Sequence, residues 1–106
     1  MKLMTKAIEA KMPPLYANEE KGTEDTPVIV KFFDAFGSWS WYATEGDKLD
    51  NGDWEFFGWV NGTYRELGYF MLSELESLKM GPAPRIERDK YFGACSLKDV
   101  MEGAVR

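Results

Sequence analysis

The sequence predicts an α+β fold: a single antiparallel sheet of four or five strands, with short helices at the N-terminus, after the fourth strand and at the C-terminus. Three observations predict it. Runs of alternating apolar and polar residues recur between Val28 and Phe70, the mark of half-buried antiparallel strands. Asn61-Gly62 joins the last two of these runs, a strong short-range hairpin signal. Capping residues, Thr5 and Ser96 among them, flank that block on both sides. Strands in a meander with helices set apart at the ends give the α+β arrangement.

The elements follow in order. Thr5 caps a short helix over Lys6 to Lys11, and Pro13-Pro14 stops it because a residue before proline is pushed out of the helical region. Leu15 and Tyr16 are expected to pack back on the core, and Asn18 to Pro27 reads as an exposed polar loop. The first strand is Val28 to Phe33. The second is Trp39 to Thr44, with Trp39, Trp41 and Ala43 on one face and Ser40, Tyr42 and Thr44 on the other. A loop over Glu45 to Asp53 leads to the third strand, Trp54 to Val60, and Asn61-Gly62 turns it into the fourth, Thr63 to Phe70. The turn is expected to be type I′, which needs positive φ at both central residues. Ser73 with Glu76 forms a capping-box pattern for a helix over about Glu74 to Lys79, buried through Leu75 and Leu78 and closed by Gly81. Pro84 to Phe92 is extended. Ser96 with Asp99 caps a last helix that runs to about Glu102 and ends at Gly103.

Composition bounds the chemistry. The 106 residues carry 4 Trp, 5 Tyr and 7 Phe, enough apolar surface for one domain over 1–106 without disulfides or a structural metal. One cysteine, Cys95, excludes an intrachain disulfide. No stretch approaches the ~20 apolar residues of a membrane span, and no signal-peptide pattern opens the chain, so a cytoplasmic protein is expected. The net charge of −5 disfavours phosphate binding by global charge and is modest for a mimic of DNA. There is no histidine. That removes the usual general base near neutral pH and with it Ser-His-Asp and Cys-His catalysis. The balance leans away from an enzyme, and no cofactor or metal is expected.

The motifs Pro13-Pro14-Leu15-Tyr16, Val30-Lys31-Phe32-Phe33, Trp39-Ser40-Trp41-Tyr42-Ala43-Thr44-Glu45, Glu66-Leu67-Gly68-Tyr69-Phe70, Leu72-Ser73-Glu74-Leu75-Glu76-Ser77 and Ile86-Glu87-Arg88-Asp89-Lys90-Tyr91-Phe92 occur in that order. In this order they resemble an uncharacterised family of small proteins carried on plasmids, integrative elements and phages. The resemblance covers about Leu3 to Phe92. It implies a mobile-element setting and no reaction. The Gly46 to Asp53 loop and Gly81-Pro82-Ala83-Pro84 depart from the family pattern, so nothing is carried over to them.

Candidate sites come from exposed aromatics and charge. If the core takes the Trp39/Trp41 side, Tyr42 and Trp59 point outward, as interface anchors do, unless Pro13 to Tyr16 covers them. Arg85 and Arg88, with Glu87 and Asp89, form an alternating patch able to bind a carboxylate or phosphate, or simply an exposed run whose charges pair with neighbours. The candidate binding residues are therefore Tyr42, Glu45, Trp59, Glu66, Arg85, Glu87, Arg88 and Asp89. Glu45, Glu55 and Glu66 are the carboxylates a hydrolase would need. The acidic run Glu45, Asp47, Asp50, Asp53 and Glu55 lacks calcium-loop spacing. Cys95, without a partner base, reads as inert. The best-supported expectation is a non-enzymatic module that binds a host or element protein, an anti-defence inhibitor being one form. The alternative is a single-stranded nucleic-acid accessory protein, stacking bases on aromatics and meeting phosphates with Lys31, Lys79, Arg85, Arg88 and Lys90.

Overall fold

The computed structural model describes residues 2–103; Met1 and residues 104–106, which the single-domain expectation also spans, lie outside the described residues. Helix α1 (Lys6–Lys11) begins as its cap predicts, with Thr5 Oγ1 accepting from the Ile8 amide at 3.2 Å. A single 3-10 turn over Thr23–Asp25 precedes strands β1 (Val30–Asp34), β2 (Ser40–Lys48), β3 (Trp54–Asn61) and β4 (Arg65–Met71). Helix α2 (Leu72–Ser77) follows without a break. Then come the short strands β5 (Lys79–Met80), β6 (Ala83–Pro84) and β7 (Ile86–Arg88), and helix α3 (Leu97–Met101).

Five strands form one sheet in the order β4-β3-β2-β1-β7, and every neighbouring pair is antiparallel. Its α+β architecture and the placement of its helices agree with the sequence pattern. The face that carries Val30, Phe32, Trp41, Ala43, Trp54, Phe56 and Phe70 is the main core. It is closed by Leu3, Met4 and Met12 from the N-terminal segment and by Leu72 and Leu75 from α2. Phe32 and Phe56 are fully buried there, with ring centroids 5.7 Å apart.

The opposite face is also covered, which corrects one expectation. Tyr42 does not point into solvent; it is 4% exposed and packs with Val28, Leu97 and Val100, flanked by Trp59, Phe92 and Cys95. The cover is α3 rather than Pro13 to Tyr16. Two backbone contacts hold it there: the Val28 amide donates to the Cys95 carbonyl at 3.0 Å, and the Leu97 amide to the Thr26 carbonyl at 2.7 Å. The Ser96/Asp99 capping box predicted for this helix is present, each side chain accepting from the other residue's amide, at 3.2 and 3.0 Å.

Local signals were misleading at four places. Strand β2 runs to Lys48, so the loop before β3 is four residues shorter than its composition suggests. Asn61 pairs with Arg65, so the β3–β4 link is Gly62-Thr63-Tyr64 and Gly62 has no positive φ. Gly62 answers to packing instead: a Cβ there would lie 2.5 Å from the Trp39 ring. Helix α2 starts at Leu72, with Glu74 accepting from the Met71 amide at 2.8 Å, while Ser73 donates its hydroxyl to Asp53 at 2.5 Å. Gly81, at φ 61°, turns the β5–β6 hairpin rather than closing α2, and Leu78 is exposed.

Candidate functional site

Strict alternation along β2 would put Glu45 on the same face as Trp41 and Ala43, inside the apolar core. A β-bulge prevents this. The β2–β3 register shifts between Ala43 and Glu45, so that Ala43 pairs with Gly58 and Glu45 with Phe57. One extra residue exchanges the faces of everything beyond it. Glu45 therefore moves to the face of Phe57 and Tyr69, and Gly46 takes the core position opposite Phe56.

The bulge lies where β2 outruns its neighbour, since β1 pairing ends at Val30 with Ala43. The N-terminal segment takes over that free edge. The Gly46 amide donates to the Pro13 carbonyl at 2.9 Å. The next two amides turn onto carboxylates: Leu15 donates to Asp47 Oδ1 at 3.4 Å and Tyr16 to Glu45 Oε1 at 3.1 Å. Tyr16 adopts φ 73°, a left-handed conformation that costs a bulky side chain roughly 1–2 kcal/mol. The surrounding contacts hold it there. Asn18, which the polar composition of its segment marked as exposed, is buried and donates Nδ2 to Glu45 Oε2 at 3.1 Å. Thr44, fully buried, donates its hydroxyl to the same oxygen at 2.7 Å.

Glu45 is thus a carboxylate 5% exposed, held by three donors. Among the described residues no basic side chain forms an ion pair with it. It lines an open cavity of about 320 Å³ with Tyr16, Asn18, Phe57, Leu67 and Tyr69, and the exposed Glu19 and Lys21 also line it. The rings form a wall: Phe57 and Tyr69 are 5.0 Å apart, Tyr16 and Tyr69 6.4 Å. Tyr16 is 61% exposed and Tyr69 51%. The Tyr69 phenol titrates above its ordinary value, held up first by its hydrogen bond with Tyr16, then by desolvation and by the charges of Tyr16, Glu45 and Glu55.

The sequence pattern of a protein family of unknown function, DUF2958, matches residues 3–103. The chain belongs to this family. No curated protein and no solved structure gives a significant match. The described part of this DUF2958 chain has no helix long and apolar enough to cross a membrane.

The other candidates of this DUF2958 chain are dispersed. Trp59 lies half-buried opposite Tyr42 on the face covered by α3. Glu66 is exposed on the other side of the sheet, beside a hollow that includes Trp39, Trp41 and Leu78, so it cannot act together with Glu45. The charged run near β7 is largely engaged within the chain. Arg85 Nε meets both Asp34 oxygens at 2.9 Å, Arg88 bonds the Lys2 and Leu3 carbonyls, and Asp89 pairs with Lys31 at 3.6 Å. Glu87 is half-buried opposite Phe33. The acidic residues of the β2–β3 region are likewise spread over separate partners, Asp53 holding Ser73 and Trp54. Among the described residues no group of three or more His, Cys, Asp or Glu is placed to hold a metal ion. Burial, and then the Asp99 charge, pushes the Cys95 thiol up, which lowers its thiolate fraction.

Sequence reasoning named Glu45 but missed Tyr16, Asn18 and Phe57 as its companions. The available signal was Asp47 and Glu45 two residues apart on a strand that also carries a glycine between them, a pattern able to receive a crossing backbone.

Proposed function

We propose that this protein is a non-enzymatic protein-binding module whose docking surface is the aromatic rim around Glu45. One observation carries this: Tyr16, Leu67 and Tyr69 are large, adjacent and exposed, although the fold has apolar cover available on both faces of the sheet. Tyrosine rings at the edge of a concave surface are typical interface anchors. The mobile-element setting implied by the family resemblance makes a host or element protein the natural partner, and an inhibitor of a defence protein would be one form of it. The nucleic-acid alternative has less support, because Lys31, Arg85 and Arg88, three of the cations it needs, already have partners within the chain.

The test is site-specific photocrosslinking in the cell that carries the gene. A benzoylphenylalanine at Leu67 is expected to capture one discrete protein, and the same group at Tyr91, 95% exposed and outside the cavity lining, is not. Capture must vanish when Tyr16 and Tyr69 are both alanine. Equal capture from the two positions, or none from Leu67, would rule the rim out as the docking surface.

A further inference from the structure

We infer that the Glu45 cavity receives an organic cation, the guanidinium or ammonium head of an arginine or lysine side chain of the docking partner. The inference rests on the reading of the rim as a protein-docking surface and adds the chemistry of the group it takes.

Four features of the cavity converge on a cation. First, Glu45 is a buried carboxylate without a basic partner among the described residues. Charges are rarely buried so deeply unless paired. Second, its hydrogen bonding is incomplete. A carboxylate offers about four acceptor positions. Oε2 accepts from Asn18 and Thr44, whereas Oε1 accepts from the Tyr16 amide alone. Oε1 has the capacity to accept from one more donor, and Glu45 lines the cavity. Third, aromatic rings line it. Phe57, Tyr69 and Tyr16 stand in succession, at 5.0 and 6.4 Å between centroids, and aromatic faces attract cations lying within about 6 Å of a centroid. Fourth, the local field is negative. The Tyr69 phenol, raised first by its hydrogen bond with Tyr16, then by desolvation and the Tyr16 charge, is raised further by the charges of Glu45 and Glu55. Lys21 is the one opposing charge in the lining, which also includes Glu19.

The backbone supports a built site. Tyr16 is held at φ 73°, and the strained conformation aims its amide at Glu45 while its ring meets Tyr69. Strain of this kind persists where neighbouring contacts over-determine a position, and it clusters at binding sites. A volume of about 320 Å³ is at the small end of ligand pockets and suits one side chain rather than a cofactor.

The experiment is an NMR titration of the isotope-labelled full chain with n-butylguanidinium chloride, followed at the Tyr16 and Glu45 amides and the Asn18 side-chain amide. n-Butylurea, its neutral isostere, and sodium butyrate serve as comparisons. Saturable shifts with the guanidinium alone are expected. Tyr69→Ala, at an exposed position that the core does not need, should weaken binding about tenfold, within the range of cation–π contributions, and Tyr69→Phe should retain it. Glu45→Gln, checked for native tryptophan fluorescence, should abolish it. Equal shifts from n-butylurea would make the cavity a neutral apolar slot, and shifts from butyrate would assign it to Lys21; either result, or no saturable shift with the guanidinium, overturns the inference. The photocrosslinking outcome is independent. Capture from Leu67 without guanidinium binding removes the cation chemistry and leaves the docking surface. Guanidinium binding without capture removes the docking surface.

Discussion

Gly58 and Gly68 face each other across β3 and β4 on one rung of the sheet, yet the space beside them is opposite in kind. A Cβ at Gly58 would fall 1.8 Å from the Tyr42 carbonyl oxygen. Strand β2 comes this close because the bulge at Thr44 and Glu45 bends it just after the Ala43–Gly58 pair. A Cβ at Gly68 would meet nothing within 4 Å. The same chemical change therefore has two outcomes. Gly58→Ala forces the backbone of β2 away and is expected to cost about 3 kcal/mol, at the upper end for overpacking. Gly68→Ala adds a residue better suited to a strand in open space and should change stability by less than about 0.5 kcal/mol. Urea denaturation followed by tryptophan fluorescence distinguishes them. Similar losses at both positions would mean that β2 and β3 are not in this close approach, and the bulge that presents Glu45 would lose its structural basis.

At the scale of the element, helix starts show what a sequence can and cannot disclose. Thr5 and the Ser96/Asp99 pair act as the local pattern dictates, because each cap closes within three residues. Ser73 and Glu76 fit the same pattern, but the chain enters α2 directly from β4, so Leu72 is already helical. Ser73 then meets Asp53 across 20 residues, a contact invisible to local spacing. The faces of Trp41 and Ala43 against Tyr42 were legible for the same reason that the first two caps were, since alternation is local, but Val28 and Ile29, which precede β1, lie on the faces opposite to those that alternation gives them. The bulge was not legible, since a single inserted residue leaves alternation on either side intact. Nor was the N-terminal crossing, which depends on β2 outrunning β1. The candidate site shares this division, with Glu45 visible as an acidic residue and its partners visible only in three dimensions. Ser96→Ala should cost about 1 kcal/mol, as loss of a working cap does, and loosen the cover over Tyr42. Ser73→Ala should act through Asp53. In a double-mutant cycle, Asp53→Ala and Ser73→Ala should be markedly less than additive. Additive losses would return Ser73 to the role of a simple cap.

The whole molecule contains no histidine, and its resolved titration shifts fall on either side of neutrality. On the acid side, Asp34 is lowered: burial works upward, but hydrogen bonds from Arg85 and the Phe36 amide outweigh it. Asp53 is lowered chiefly by Ser73. A carboxylate with a depressed native pKa adds stability that is present above its unfolded value, 3.8 here, and lost as pH falls through the native value. On the alkaline side, burial raises Tyr42 and Cys95 above 10.0 and 9.0. Groups raised in this way favour the folded state below their unfolded values, and that contribution disappears as pH climbs through the native ones. Stability should therefore be flat across neutrality and decline below about pH 4 and above about pH 9. Urea midpoints measured from pH 3 to 10.5 test this. The alkaline decline belongs to the layer beneath α3, where Cys95 and Tyr42 share one cluster. Cys95→Ala should consequently shift its onset upward while leaving the acid limb unchanged. A slope between pH 6 and 8 would require a titrating group with a strongly displaced pKa.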